Sequence, residues 1–173
     1  MVANPAILPC GPQNPLVVGQ SEDSRYVENI MEHALLSDVL QHCWYVENLR
    51  VEVMRPEVDG GGYDLVLEAK RPGRKRGRVR HVQLKSRWRH GGRRTIKNLN
   101  SRLRDHPDPC VVWIFWQVDP ATCRVTLQYR YSPMSKWPNP VPGASKFNLA
   151  WQDFIPGPGA GFLNTRGLAS NLF

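Results

Sequence analysis

The sequence is short of the features that define several large classes. Its four cysteines, Cys10, Cys43, Cys110 and Cys123, form no C-x-x-C pair and no Cys/His cluster at zinc spacing. A zinc ribbon or finger is therefore excluded, and buried reduced thiols are the expectation; Cys43 beside His42 cannot build a tetrahedral site from two neighbouring residues. No apolar run approaches the roughly 20 residues of a membrane span, so no membrane partner is expected. The N-terminus lacks a basic leader and is interrupted by Pro5, Pro9, Pro12 and Pro15, which is unlike a secretory signal. The triple glycine 60–62 is not followed by G-K-[ST], so it is no phosphate-binding P-loop. No internal repeat is present. A cytoplasmic globular protein of 173 residues, one domain with tails, is the expectation.

One further absence turns into a signal. Residues 70–104 contain no Asp or Glu, yet they hold 15 of the 23 Lys and Arg residues. The rest of the chain carries 8 basic and 15 acidic residues, so a strongly positive segment sits on a negative body. The counterpart of such a segment is a polyanion. Because most of its charge is Arg, which grips phosphate through two donors, nucleic acid is the expected partner. A solvated basic loop, or one that docks an acidic protein or lipid, is the competing reading.

Residues 1–20 read as an extended Pro/Gly/Asn-rich arm. Residues 22–43 repeat with helical period, with Ser21 as a possible N-cap and Tyr26, Val27, Ile30, Met31, Ala34, Leu35 and Val39 on the apolar face. Residues 49–54 and 63–69 alternate as strands on either side of the glycine turn. Residues 70–78 form a basic hairpin loop and 79–85 a third strand. This strand sets Val79, His81, Gln83 and Lys85 on one face and Arg80, Val82 and Leu84 on the other. A short helix is expected over 95–105, ended by His106-Pro107. A continuous apolar strand follows over 111–118, then an exposed strand over 124–131. Residues 132–173 read as a Pro/Gly-rich extension beyond a core of 21–131. The expected class is α/β (α+β): helix, three-stranded meander, helix, two strands, in a mixed sheet flanked by helices.

Asp64 opens the second strand, and Gln83-Leu84-Lys85 closes its antiparallel neighbour, so both lie at the sheet end opposite the basic hairpin. An acid, an amide oxygen and an ammonium can converge there. Phosphodiester hydrolysis needs such a set: oxygen ligands for Mg²⁺ and a cation that positions the attacking water. Glu32 on the first helix can add a carboxylate, with Glu28 one turn earlier as its rival. The plainer reading has Asp64 bonding a turn amide and Gln83 and Lys85 on a solvated strand face. Glu57 and Asp59 beside the glycine turn, and Glu68 further along the strand, are weaker candidates for the same acidic site. His81 is a candidate phosphate contact and Trp88 a candidate base-stacking residue.

This pattern resembles the PD-(D/E)XK nuclease superfamily, with its restriction-endonuclease-like core, over roughly residues 22–131. The resemblance implies that Asp64 is the motif acid, Gln83 the second metal-binding position and Lys85 the motif lysine. It also implies that the Leu84 carbonyl and Glu32 ligate Mg²⁺, with Mn²⁺ as a substitute. Two positions depart from the usual motif: Tyr63 stands where a proline is common, and Gln83 where Asp or Glu is commoner. The implied activity is a metal-dependent endonuclease, acting on DNA and leaving 5′-phosphate and 3′-hydroxyl ends. Arg74, Lys75, Arg76 and Arg78 of the hairpin, and Arg87, Arg89, Arg93, Arg94 and Lys97 after the motif, are the expected nucleic-acid contacts. A homodimer is compatible with this reading. The alternatives are a nuclease-like fold that binds nucleic acid without turnover, and a basic protein-interaction domain.

Overall fold

The chain is seen in a computed structural model that describes residues 21–57, 60–89, 94–119, 122, 124–157 and 161–173. The expected arm at 1–20, together with Cys10, Asp59, Arg93 and Cys123, lies outside the described residues.

Helix α1 (Ser21–Tyr45) is followed by β1 (Arg50–Met54), β2 (Leu65–Lys70) and β3 (Arg78–Trp88), an antiparallel meander. Strand β5 (Pro109–Val118) then pairs with β3 in parallel, and β6 (Val125–Pro133) pairs with β5 antiparallel. The result is a mixed five-stranded sheet in the order β1-β2-β3-β5-β6. The α/β class and the meander agree with the pattern of the sequence.

Strand β5 shows why both faces of the sheet are covered. Cys110, Val112 and Ile114 enter one cluster with Met31, Leu35 and Val39 of α1 and with Leu168 and Leu172 of α2 (Thr165–Leu172). The alternate residues Val111, Trp113 and Phe115 enter a second cluster on the opposite face. Both helices thus lie on one side, and the other side is closed by a smaller sheet. That sheet pairs β4 (Thr95–Asn100) with β7 (Lys146–Ala150).

Two sequence expectations are corrected here. Residues 95–105 are not a helix but strand β4 followed by a 3-10 helix, Ser101–Asp105. The apolar residues Ile96, Leu99 and Leu103 are spaced as on a helix face, which is what misleads. Here that spacing arises from a register shift between Ile96 and Leu99, with Asn98 in the left-handed region at φ 61°. The bulge turns both side chains to the same core. Nor are residues 132–173 an extension outside the core. Trp137, Leu149 and Phe154 build the second cluster, and Leu163, Leu168 and Leu172 build the first. Their apolar residues are too scattered to show a period.

Within α1, the buried stripe is Met31, Leu35, Leu36, Val39 and Cys43, whereas Tyr26 and Ile30 of the expected face are exposed. Residues 25–30 of the helix are mostly exposed, and Glu28, Asn29 and Glu32 line a cleft. Among the described residues, no helix is long and apolar enough to cross a membrane.

Candidate active site

The glycine turn sets the first element of the site. Gly62 has φ +73°, and a Cβ there would come within 2.7 Å of the Asn100 Cβ, so only glycine fits. The chain leaves this turn at Asp64, whose N–H donates to the Val82 carbonyl (2.9 Å) as the β2–β3 ladder begins. Leu65 lies opposite Val82, which brings Asp64 beside Gln83 and Leu84.

Asp64 Oδ2 accepts a hydrogen bond from the Leu84 N–H at 2.6 Å and a short one from Gln83 Nε2. The same Gln83 nitrogen also donates to the Leu84 carbonyl at 3.1 Å. One donor therefore reaches both the acid and the carbonyl, so these two oxygens face a common point. Gln83 is 7% exposed and held in place. The carboxamide presents its NH₂ to these two oxygens, because Oε1 in that place would face two other acceptors. A half-turn of the amide would present Oε1 to the same point.

Asp64, Leu84, Lys85 and Ser86 from the sheet, with Glu28, Asn29 and Glu32 from α1 and Ile114 beneath, line a cleft of about 240 Å³. Glu32 is not alone there. Its Oε1 accepts from both Nε (2.9 Å) and Nη2 (2.7 Å) of Arg55, the residue that follows β1. Sequence reasoning missed Arg55; its one signal was a cation at a strand end, next to Pro56. Glu68 lies elsewhere, paired with Lys70 at 2.8 Å at the hairpin end of β2, and Glu57 is exposed outside the cleft lining.

Among the described residues, no three His, Cys, Asp or Glu side chains gather to hold a metal ion. The donors that do converge are one carboxylate, one carboxamide and one backbone carbonyl, with Glu32 in the same cleft. An all-oxygen set with few charges suits Mg²⁺ or Mn²⁺, which retain several waters, and it does not suit Zn²⁺.

The basic residues fall into three groups. Arg74, Lys75 and Arg76 are exposed in the β2–β3 hairpin, about 20 Å from Asp64 at ~3.3 Å per strand residue. Arg94 and Lys97 are exposed at the start of β4, while Arg87 and Arg89 are half-buried; Arg89 donates to Gln117 Oε1 at 3.1 Å. Others are structural. Arg80, 6% exposed, donates from Nε to the Leu172 carbonyl (2.8 Å), and Arg78 donates to the Phe173 carbonyl (3.0 Å). These two cations sit at the C-terminal end of α2, where the helix dipole favours them.

His81 and Trp88 are engaged in packing. His81 stacks on His106 at 4.8 Å, edge-on to Tyr63, and Trp88 packs edge-on to Trp116 at 4.9 Å. Compared with family models, curated proteins and solved structures, the chain finds no match.

Proposed function

We propose that this protein is a metal-dependent nuclease, with DNA as its substrate and a restriction-endonuclease-like core. The observation that carries the reading is the convergence of Asp64 and the Leu84 carbonyl on the Gln83 carboxamide, in a cleft shared with Lys85 and Glu32. Asp64, Gln83 through Oε1, the Leu84 carbonyl and Glu32 would hold Mg²⁺ or Mn²⁺. Such an ion supplies charge neutralisation at the scissile phosphate and acidifies a bound water. Lys85 is exposed at the cleft wall, where its ammonium orients the attacking water and balances charge on the phosphate. Arg87, Arg89, Arg94 and Lys97 follow the motif in the chain and steer the backbone toward the cleft. The hairpin cations reach a more distant stretch of the same strand pair.

The test is incubation of plasmid and single-stranded DNA with the protein, with and without Mg²⁺ or Mn²⁺, beside Lys85→Ala. Cleavage that needs metal and is lost in the variant supports the reading; cleavage equal in the variant sinks it. A second reading draws on the Gln83–Asp64 hydrogen bond. The amide already satisfies the carboxylate, so the same fold can hold nucleic acid without turnover. Calorimetric titration separates the two, since a binding-only module takes up no Mg²⁺ or Mn²⁺ at Asp64.

A further inference from the structure

The contact between Arg55 and Glu32 carries more than local packing. Met54, the last residue of β1, lies opposite Val66, so Arg55 leaves the sheet at the same end as Asp64. Its guanidinium places two donors on one oxygen of Glu32, whose side chain is 19% exposed; the Arg55 side chain is 55% exposed. Glu32 lines the cleft with Asp64 and Lys85, whereas Arg55 is outside that lining and touches it through Glu32. A carboxylate that lines an oxygen-rich site is thus tied to a cation that remains open to solvent.

Resting on the nuclease reading, we propose that Arg55 is a positioning residue that exchanges Glu32 for a backbone phosphate when nucleic acid enters the cleft. A phosphate offers the guanidinium two acceptor oxygens in place of the single Glu32 oxygen that both donors share, with the repeated charge of the backbone behind it. The Arg55 end of the pair is open to solvent, so water and salt weaken the hold from that side. Before nucleic acid arrives, Arg55 neutralises Glu32 and lowers the attraction of the cleft for a cation. Once Arg55 has moved to phosphate, Glu32 is released toward Asp64 and Gln83, and the donor set gains its second carboxylate. Metal and substrate therefore favour one another through a single side chain, and the coupling is reciprocal.

The experiment reads binding and not turnover. Mn²⁺ is titrated calorimetrically into the full chain with no nucleic acid present, for wild type, Arg55→Ala, Arg55→Lys, Glu32→Gln and Arg55→Ala/Glu32→Gln. Arg55→Ala is expected to bind Mn²⁺ more tightly than wild type, by on the order of tenfold, the scale on which partners of ligating groups act. Arg55→Lys, which keeps the charge but loses the fork, falls between them. In the Glu32→Gln background the Arg55→Ala gain vanishes. In EDTA, Arg55→Ala should also flatten the log K against log salt slope for duplex DNA by about 0.9, one phosphate contact.

A gain that persists without Glu32 would show Arg55 acting only as bulk charge, and would overturn the exchange. So would an absent gain, or an unchanged salt slope. Failure of the underlying nuclease reading looks different: Mn²⁺ uptake would then be absent, or unaltered by Asp64→Asn. That result overturns both.

Discussion

Gln83 gives its carboxamide nitrogen to the same Asp64 oxygen that accepts the Leu84 amide, so one carboxylate oxygen serves a side chain and the backbone at once. Asp64 is therefore part of the strand junction as well as a candidate ligand, and the two roles are separable. Asp64→Asn keeps an acceptor for the Leu84 N–H but removes the charge. It is expected to abolish cleavage and metal uptake with little change in urea midpoint. Asp64→Ala also leaves that N–H unpaired and is expected to cost a further ~1–3 kcal/mol. Wild-type cleavage by the Asn variant would remove Asp64 from the site.

Gln83→Glu places a second carboxylate against Asp64. Without metal, the like charges raise the apparent pKa of the pair above that of the unfolded chain, so stability falls as pH rises through the carboxylate range. Mg²⁺ should reverse this loss and bind more tightly than to wild type, because a carboxylate is the stronger hard-oxygen ligand. Thermal unfolding at pH 5 and pH 7, with and without Mg²⁺, tests both effects. If neither appears, Gln83 does not face the metal position.

The exposed hairpin should govern affinity and leave folding alone. Arg74, Lys75 and Arg76 replaced together by Ser should flatten the salt slope on duplex DNA by about 0.9 for each phosphate no longer neutralised. Stability should stay within about 0.5 kcal/mol of wild type, since the core makes no use of them. Arg78 is left in place because it bonds the Phe173 carbonyl. An unchanged slope would show that the hairpin points away from nucleic acid, and would favour an acidic protein partner.

Arg80 tests the opposite role. Its guanidinium is buried against the last turn of α2, with Nη1 also 3.8 Å from Asp108. Arg80→Ala is expected to cost about 2–3 kcal/mol in urea unfolding, because charged hydrogen bonds at a buried site disappear. The exposed Arg78→Ala should cost less than about 1 kcal/mol. Equal destabilisation by the two variants would mean that Arg80 does not hold the helix.

Burial raises the Cys43 thiol from 9.0 to about 11, with Glu47 adding to the shift, and burial raises Cys110 from 9.0 to about 12. Both stay protonated in the native state at pH 8.5, so iodoacetamide should spare them until the chain unfolds; peptide mass spectrometry reads this directly. The unfolded chain loses these protons first, near pH 9. The stability they confer is complete below that pH and is lost as pH rises toward the native values. Rapid native alkylation of Cys110 would contradict its burial between the sheet and the helices.

The meander was legible because β1, β2 and β3 alternate in the sequence and are separated by glycine and basic turns. The placement of Asp64 and Gln83-Leu84-Lys85 at one end of the sheet followed from strand order, since an antiparallel hairpin returns the chain to the end it left; the register that sets Asp64 beside Gln83 did not. Burial of residues 111–115 on both faces was legible in the apolar run over 111–118, since a doubly covered strand is what tolerates it. What escaped was long-range. The bulge at Asn98 depends on Asn148, whose side chain accepts the Asn98 N–H, and no local pattern announces that contact. The pairing of Glu32 with Arg55 joins a helix to a strand end through a contact that neither segment signals by itself. Arg80 looked like one more cation in a basic run until the end of α2 was seen to rest on it.

The pairing of β4 with β7 has a consequence for synthesis of the chain. Thr95 faces Ala150 and Asn100 faces Lys146, so the strand that leads from β3 to β5 has no partner until β7 has left the ribosome. Until then Trp113 and Phe115 present an uncovered aromatic face, although the meander and α1 can already assemble behind them. A nascent chain paused between these strands would be a client for chaperones that hold exposed apolar surface. Closure of the second face should accordingly follow assembly of the meander, because β4 and β7 are far apart in the sequence whereas β1, β2 and β3 are neighbours.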